Sequence, residues 1–305
     1  MALSSCENTQ QSGWRKVKIF IFGLGYSALH FAKTHHAHFS VSGTVTSADK
    51  ARALQAAGFA CHVFSGAGFD AALRQDVLEA DGIVVSIPPQ SSGDGVLPAF
   101  ADVLAQCRQL TSLVYLSTVG VYGDYQGDWV DESSPCKPVN PRSQERLIAE
   151  QDWLRFGQSQ GVRVNVLRLS GIYGPGQNAF VALANGTAKR IIKADQVFNR
   201  IHVDDIAGAI SLCLTQSAAQ GVWNVTDDLP APPQDVVTCA AKIMGVEPPP
   251  EVAFADAMMS PMARSFYSEC KRVSNARIKQ SLGWQLVHPT YEQALKAMWA
   301  EKSWR

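Results

Sequence analysis

The chain has 305 residues, enough for one large domain or two modest ones with a sizeable core. Its hydrophobic fraction of 46% and charged fraction of 18% are ordinary for a globular protein, and its 27 basic and 27 acidic residues leave no formal net charge. This balance gives no indication of a nucleic-acid or membrane surface, and no apolar run is long enough to cross a bilayer. We therefore expect neither nucleic acid nor membrane as a partner.

The beginning of the chain is polar and lacks the apolar core of a signal peptide, so we expect residues 1–15 to form a disordered tail. The seven cysteines are odd in number and include no Cys-x-x-Cys pair, which argues against a disulfide framework. A reducing, cytoplasmic location fits this pattern best.

After the tail, apolar strands alternate with segments of helical spacing. The predicted strands are Val17–Phe22, Phe39–Val45, Ala60–Phe64, Gly82–Ile87, Leu113–Ser117 and Val162–Leu169. The predicted helices are one through Leu29, Phe31 and Ala32, then Ala48–Ala57, Asp70–Glu79, Val96–Leu110 and Arg142–Gln160.

Such alternation predicts an α/β fold with a doubly wound parallel sheet of the Rossmann type. Beyond Leu169 the pattern becomes irregular and rich in proline clusters, which indicates a smaller C-terminal substrate lobe. We assign residues 16–168, completed by about 203–226, to this Rossmann-type domain. Residues 169–202 and 227–305 are assigned to the smaller lobe.

A glycine loop follows the first strand and opens the first helix. The segment Gly23-Leu24-Gly25-Tyr26-Ser27-Ala28 fits the pattern Gly-x-Gly-x-x-Ala. The first glycine permits a tight turn, the second lets the backbone approach a pyrophosphate, and the helix N-terminus supplies N–H groups for the phosphates. We expect Gly23, Leu24, Gly25, Tyr26 and Ser27 to bind a dinucleotide; the alternative is a purely structural turn.

The end of the second strand bears on the choice of dinucleotide. An NAD site usually has an acidic residue there for the ribose, but this chain has Thr46 and Ser47 and no acid before Asp49. These hydroxyls, with Lys50 or Arg52, suit a 2′-phosphate, which favours NADP and leaves NAD possible. Alternatively, the hydroxyls only cap the following helix. We also assign cofactor contacts to Ser86, Ile87 and Pro88, where the fourth predicted strand ends.

Several longer segments resemble the extended short-chain dehydrogenase/reductase family, in particular its NAD-dependent epimerases and dehydratases. The resemblance runs from about Val17 to Trp284 and is carried by Val114–Gly123, Asn140–Glu150, Arg168–Gly176, Asn199–Ala207, Val222–Val225 and Lys271–Asn275. It implies a family tyrosine at the position of Arg142 and a family lysine at that of Arg146. The tyrosine moves a proton to and from the substrate in that family, and an arginine, which stays protonated, cannot do so in the same way.

The resemblance also implies roles for the residues that are present. Thr118 stands where the family has its catalytic Ser or Thr, which hydrogen-bonds the reacting oxygen. Arg146 remains able to hold the nicotinamide ribose, and Arg142 an anionic substrate or a cofactor phosphate. Because these two arginines are four apart, they share a helix face. The alternative is that both are surface charges paired with Glu145 or Glu150.

A replacement proton donor has to come from elsewhere, and the candidates near the nicotinamide are Tyr122, Tyr173, Asp124 and Cys136. Val119 and Gly120 follow Thr118, where sugar-nucleotide dehydratases have an Asp-Glu pair, which argues against such a dehydratase.

Other polar residues have structural alternatives. The segment His202-Val203-Asp204-Asp205 suits the start of a helix, with its acids near the positive end. Arg200 and Arg272 lie in regions where relatives hold a sugar-nucleotide diphosphate, although packing or ion pairing explains them equally well. No metal site is predicted, since His35, His36 and His38 have no suitably spaced partners.

Two functions follow. One is an NAD(P)-dependent oxidoreductase or epimerase with a rearranged proton relay, acting on a small carbonyl, hydroxyl or sugar-nucleotide-like substrate. The other is a catalytically inactive protein that senses or stores NAD(P)(H). By resemblance, a homodimer through the helices Val96–Leu110 and Arg142–Gln160 is possible.

Overall fold

The computed structural model describes residues 15–66 and 68–305. Of the predicted tail 1–15, all but Arg15 lie outside the described residues. The Arg15 guanidinium contacts the Asp81 carboxylate at 2.6 Å, next to the strand that follows Asp81.

A seven-stranded parallel sheet forms the centre of the fold, in the order β11-β7-β5-β4-β1-β2-β3. It confirms the predicted α/β, doubly wound Rossmann-type sheet. The strands of the chain are β1 Val17–Phe22, β2 Phe39–Val45, β3 Ala60–Val63, β4 Gly82–Val85, β5 Ser112–Thr118, β6 Trp129–Val130, β7 Arg163–Leu169, β8 Gly171–Tyr173, β9 Arg190–Ile192, β10 Arg200–His202, β11 Gly221–Val225, β12 Glu251–Ala253 and β13 Arg272–Val273.

Helices cover both faces of this sheet. They are α1 Tyr26–Thr34, α2 Ala48–Ala56, α3 Ala71–Leu78, α4 Leu97–Leu104, α5 Pro141–Gln160, α6 Ala179–Ala184, α7 Val203–Thr215, α8 Pro233–Met244, α9 Pro261–Phe266, α10 Ala276–Leu282 and α11 Tyr291–Ala300, and a 3-10 turn spans Val119–Tyr122. No helix in residues 15–66 and 68–305 is long and apolar enough to cross a membrane.

The alternation of side chains along β1 builds two separate cores. Ile19 and Ile21 pack on one face with Phe31 of α1 and Ile206 of α7. On the other face, Phe20 and Phe22 pack with side chains of α3, α4 and α5. Because neighbouring residues of a strand point to opposite faces, one run of apolar residues anchors helices on both sides of the sheet.

Some predicted bounds differ from the structure. The helix predicted for Val96–Leu110 ends at Leu104, because the residues up to Leu110 form turns before β5. The strand predicted for Gly82–Ile87 ends at Val85, where it leaves the sheet toward Pro88. Cys107 and Leu110 are buried and Ile87 is half-buried outside regular structure, and a hydrophobic pattern does not distinguish such residues from those of a helix or strand.

The rest of the chain forms a smaller assembly beside the carboxyl ends of β5 and β7. Here α6, α8 and α11 share a core that includes Phe180, Tyr291 and Leu295. A second small core joins Ile191 of β9 to Tyr267. The chain also returns to the main sheet, because α7 packs on α1 and β11 pairs with β7.

Candidate functional site

The glycine loop has the geometry that a dinucleotide pyrophosphate requires. Gly23 has φ +94°, and a Cβ added there would lie 2.8 Å from Ile87 Cγ1. Its N–H donates to Thr44 Oγ1 at 3.0 Å, which fixes the loop against β2. A Cβ at Gly25 would meet nothing within 4 Å, and no side chain caps the N-terminus of α1 there. Ligand phosphates can therefore approach the backbone closely at this open helix end.

After β2, one of the two hydroxyl residues caps the next helix and the other is exposed. Ser47 Oγ accepts the N–H of Lys50 and caps α2, as the structural alternative proposed. Arg52 pairs with Asp49 on the helix surface. Thr46 is exposed and remains accessible to a ligand.

A cavity of about 1460 Å³ lies between the sheet and the smaller lobe. Thr118, Arg142 and Arg146 line it together, with Pro88 beside them. The structure thus brings all three predicted catalytic residues to one site. The other predicted cofactor residues do not line this cavity: Gly23, Leu24, Gly25, Tyr26, Ser27, Thr46, Ser47, Ser86 and Ile87.

Thr118 ends β5 at the floor of this cavity. Its Oγ1 accepts the Gly120 N–H at 3.1 Å and so caps the short 3-10 turn. The hydroxyl proton remains available to a ligand oxygen. Thr118 therefore can donate a hydrogen bond to a substrate carbonyl or hydroxyl, as the resemblance implies.

Helix α5 carries both arginines because of clear local signals. Asn140 caps it by accepting the Ser143 N–H, Pro141 occupies the first helical position, and Gly161 ends the helix at φ +67°. Arg142 is exposed in the first turn. One turn later, Arg146 Nη1 donates to the carbonyl oxygen of Leu116 in β5.

The predicted alternative of ion pairs within α5 is wrong. Glu150 turns into the protein and pairs with Arg168 of β7 at 2.8 Å, with both side chains buried. Ser117 also donates to this carboxylate. Within residues 15–66 and 68–305, neither Arg142 nor Arg146 makes an ion pair, so both charges face the cavity or its wall.

The four candidate proton donors differ in position. Tyr122 donates to Asn224 Oδ1 at 2.8 Å behind the site, and burial raises its pKa to about 12, so it is structural. Asp124 accepts the N–H of Cys270, and neither Asp124 nor Cys136 lines the large cavity.

Tyr173 does line the cavity. Its hydroxyl is buried and has no hydrogen-bond partner in the described part of the chain. Burial raises the pKa of this phenol far above its ordinary value, and Asp227 is the next cause. The group is therefore neutral and has a free O–H.

Arg200 and Arg272, which lie where relatives hold a diphosphate, both donate hydrogen bonds to backbone carbonyls of the protein. Arg272 Nη1 donates to the carbonyl of Gly127, and this residue does not line the cavity. Arg200 lines it, but its Nη1 donates to the carbonyls of Phe198 and Ala231 at 2.9 and 3.0 Å. Arg272 therefore has a structural role, as the alternative of packing proposed. Arg200 has structural contacts too, but it also lines the cavity.

The His202–Asp205 segment begins α7, as its structural alternative proposed. His202 Nδ1 accepts the N–H of Asp204, and the Asp205 carboxylate accepts the N–H groups of Val287 and His288. Burial raises the pKa of Asp205 to about 6.

Asp204 is surrounded by imidazoles that the sequence did not connect. His30 Nε2 lies 2.5 Å and His288 Nε2 2.9 Å from its carboxylate, and His202 lies 3.3 Å away. Hydrogen bonds from these rings hold the pKa of Asp204 far below its usual range.

Ligand atoms of His202, Asp204 and His288 lie within 4.8 Å of one another. The sequence spacing did not predict this grouping, which differs from the His35, His36 and His38 cluster.

Other lining residues were not predicted as site residues, although Lys271 lies in the segment Lys271–Asn275 that carries the family resemblance. Lys271 is buried and contacts Glu269 at 2.7 Å while donating to the carbonyl of Gly123. An apolar segment around α9 contributes Met258, Met262 and Phe266. These residues come together only through the tertiary fold.

The fold and the site define a protein of the extended short-chain dehydrogenase/reductase class. A sequence model of the NAD dependent epimerase/dehydratase family matches residues 99–226. Protein YeeZ of Escherichia coli (strain K12) is 28% identical over 284 residues, which cover 89% of this chain and 96% of that protein.

Solved structures agree with this. A functionally unknown conserved protein from Silicibacter pomeroyi DSS is 39% identical, with a TM-score of 0.84 over 94% of this chain and 99% of that one. The dTDP-glucose 4,6-dehydratase of Bacillus anthracis str. Ames, solved in complex with NAD, shares the fold at 19% identity, with a TM-score of 0.73 over 94% and 97% of the chains. Residues 99–226 therefore match a domain of the NAD dependent epimerase/dehydratase family, and the fold of the chain is that of NAD-binding members of this group.

Proposed function

We propose that the chain is an NAD(P)-dependent oxidoreductase or epimerase whose substrate binds in the large cavity. The observation that carries the proposal is the common position of Thr118, Arg142 and Arg146 on the wall of one open space of about 1460 Å³. A cavity of this size has room for a substrate next to a nicotinamide. The family relatives, which include enzymes of this chemistry, support the same conclusion.

The glycine loop is the proposed cofactor site. Gly23 makes the tight turn, Gly25 leaves the backbone open to a pyrophosphate, and the N-terminus of α1, which no side chain caps, offers its N–H groups. At the adenosine end, the absence of an acid at Thr46 and Ser47 and the exposed Lys50 favour NADP. The bound NAD in a neighbour of the same fold keeps NAD as the competing cofactor.

The chain's own residues have distinct proposed tasks. A nicotinamide dinucleotide, when bound, supplies a hydride donor or acceptor. Thr118 Oγ1 donates a hydrogen bond to the reacting oxygen and polarises a carbonyl. Arg146 lies where it can hold the nicotinamide ribose, and Arg142 offers a guanidinium to an anionic group of the substrate.

Tyr173 is the proposed source of the substrate proton. Tyr173 lines the cavity, and its neutral hydroxyl is buried and has no partner among the described residues, whereas a guanidinium does not act as a proton shuttle. The phenol keeps its proton in a buried setting and can hydrogen-bond the oxygen that receives charge during hydride transfer.

One observation favours a second function. The Arg146 guanidinium donates to Leu116 in the sheet, which directs one of its N–H groups away from the cavity. A protein that only binds NAD(P)(H) as a sensor would tolerate such an arrangement and the loss of the Tyr–Lys pair.

Turnover separates the two functions. We would saturate the protein with NADPH or NADH, add a panel of aldehydes and ketones, and follow the nicotinamide absorbance. An oxidoreductase consumes the cofactor, and Tyr173→Phe and Thr118→Val each slow it about 100-fold, as expected for loss of an acid or an oxyanion donor. The matched control Tyr125→Phe, whose hydroxyl contacts only the Pro135 carbonyl, keeps wild-type rates.

Epimerisation returns the same hydride to the opposite face of the carbon and leaves the nicotinamide unconsumed, so it is followed by separating the two epimers of candidate sugar nucleotides and hydroxy compounds. Tight cofactor binding without either reaction favours the sensor. If neither cofactor binds, the proposal fails.

A further inference from the structure

We propose that the cavity takes a substrate with an apolar, preferably aromatic, body and a single carboxylate, rather than a nucleoside-diphosphate sugar. This inference rests on the proposed function and names the substrate class for the same site.

Much of the wall contributed by the smaller lobe is apolar. Ile191, Phe198 and Tyr267 line it from one small core, and Tyr291 and Leu295 from another. A sugar ring has hydroxyl groups in every direction and needs polar partners, which Ile191, Phe198 and Leu295 do not offer. An aromatic or aliphatic group gains free energy by covering them.

One edge of this wall leaves large apolar side chains open to solvent. Met258 is 87% exposed, Met262 50% and Phe266 63%, and all three line the cavity. Contiguous apolar groups exposed at a cavity mark a binding surface, because water contact costs about 25 cal/mol for each Å². Methionine adapts to ligands of different shape, which suits this edge for an apolar body.

The basic groups of the cavity are largely used by the protein itself. Arg200 donates to two backbone carbonyls, Lys189 donates to the Met258 carbonyl, and Lys271 pairs with Glu269. Arg272 is directed to Gly127 and lies outside the lining. Apart from Arg142 and Arg146, of which Arg146 is assigned to the nicotinamide ribose, the basic side chains of the cavity therefore have protein partners within the described part of the chain.

Arg142 remains available. It lines the cavity, is exposed, and its guanidinium has no hydrogen-bond or ion-pair partner within residues 15–66 and 68–305. A planar guanidinium binds a carboxylate through two parallel hydrogen bonds. Since Arg142 lies on the same cavity as Thr118, one end of a small keto acid can bind the arginine while its carbonyl faces the threonine.

Calorimetry with three probes tests the assignment. The full-length protein is titrated with phenylpyruvate, an aromatic keto acid; with benzylacetone, a neutral aromatic ketone; and with UDP-glucose. Each titration is made with and without saturating NADP+, so that failure of cofactor binding is seen separately from the probe preference. We expect phenylpyruvate to bind about tenfold more tightly than either other probe, a difference of about 1.4 kcal/mol.

Two variants locate the bound probe. Phe266→Ser is expected to weaken phenylpyruvate about tenfold through lost apolar contact, and Arg142→Gln by a similar factor through the lost carboxylate contact. The controls are Val287→Ser, which changes a side chain that is 68% exposed outside the cavity, and Arg155→Gln on the same helix as Arg142. Both controls should bind the probe as wild type does.

The proposal is overturned if UDP-glucose binds more tightly than phenylpyruvate, if no probe binds, or if Phe266→Ser has no effect. If benzylacetone binds as tightly as phenylpyruvate, the carboxylate does not contribute to binding, and the proposal is overturned as well. Preferred binding of phenylpyruvate without cofactor, in a protein that binds no NAD(P), supports the ligand class and rejects the dehydrogenase function.

Discussion

The hydroxyl of Tyr26 donates a hydrogen bond to the carbonyl oxygen of Pro175 at 2.9 Å, across 149 positions of the sequence. Tyr26 belongs to the glycine loop, and Pro175 to the loop that follows β8. The cofactor loop and the segment carrying Tyr173 are therefore joined directly. Burial, with a smaller contribution from Asp204, raises the pKa of Tyr26 to about 12, so this hydroxyl stays a donor at neutral pH.

Removing this hydroxyl should weaken cofactor binding. We expect Tyr26→Phe to raise the NADPH dissociation constant about threefold to tenfold, since a lost hydrogen bond costs about 1 kcal/mol. Fluorescence titration measures the change. Tyr125→Phe is the matched control, because Tyr125 also donates to a proline carbonyl, that of Pro135, away from the glycine loop. Equal effects of the two variants would contradict a link between the loops.

The sequence indicates which cavity-lining residues lie near one another in some cases and not in others. The positions of Thr118, Arg142 and Arg146 follow from a strand end and a helix with clear capping residues, so their meeting at one cavity was predictable. Glu150 was placed wrongly, because its sequence neighbours give no sign that it pairs with Arg168. A buried pair is formed by strand packing, which helical spacing does not encode.

The two helix arginines should affect different ligands. We expect Arg146→Ala to raise the NADPH dissociation constant about tenfold, since its position suits the ribose, and Arg142→Ala to raise the KM of the substrate with unchanged cofactor binding. Cofactor titration and steady-state kinetics on the same variants make the comparison. If Arg142→Ala weakened NADPH and Arg146→Ala did not, the roles would be reversed.

The carboxylate of Asp204 should matter for stability near neutral pH. Hydrogen bonds from His202, His288 and His30 lower its pKa, so its contribution is present above the unfolded-state value of about 4 and is lost as the pH falls below it. We expect Asp204→Asn to cost about 2 kcal/mol near neutral pH, a modest figure because 35% of the side chain is exposed. Urea unfolding at several pH values measures the difference.

The control for this change is Asp152→Asn, whose carboxylate is 36% exposed and pairs only with Arg155. It should cost less than about 1 kcal/mol at every pH. If Asp204→Asn lowered the free energy of unfolding by the same amount in strong acid as at neutral pH, the stabilising effect would not come from a charged Asp204.

The contribution of Asp227 to stability should depend on pH in the opposite direction to that of Asp204. Burial raises its pKa to about 7, and its Oδ2 has no partner among the described residues. The folded state therefore loses stability as the pH rises from about 4, where the unfolded chain ionises, to about 7, and the full cost remains above that. We expect Asp227→Asn to stabilise the protein by about 2 kcal/mol in mild alkali and not below about pH 4.

The exposed Asp102→Asn in α4 is the control for Asp227 and should leave the pH profile of unfolding unchanged. A wild-type profile that stayed flat from mild acid to mild alkali would contradict the raised pKa.

The fold was largely predictable because its strands carry unbroken apolar runs. The predicted Val17–Phe22 and Phe39–Val45 agree with β1 and β2, and glycine ends α5, α8 and α10. The His30, Asp204 and His288 contacts were not predictable, since they join residues far apart in the chain with no periodic pattern. The apolar edge at Met258 and Phe266 was missed because nothing local distinguishes a cavity wall from a loop.

Titration of wild type and Gly25→Ala with NADPH and NADH tests whether the glycine loop binds the cofactor. A Cβ at Gly25 would meet no protein atom within 4 Å, so the variant should fold, while the added methyl group occupies the space of the pyrophosphate. Gly208→Ala, whose Cβ would make only an ordinary 3.8 Å contact with Trp284, is the control. We expect wild type and Gly208→Ala to bind NADPH saturably. The affinity of Gly25→Ala for NADPH should be at least about tenfold lower. Equal binding by all three proteins, or no binding by wild type, would contradict it.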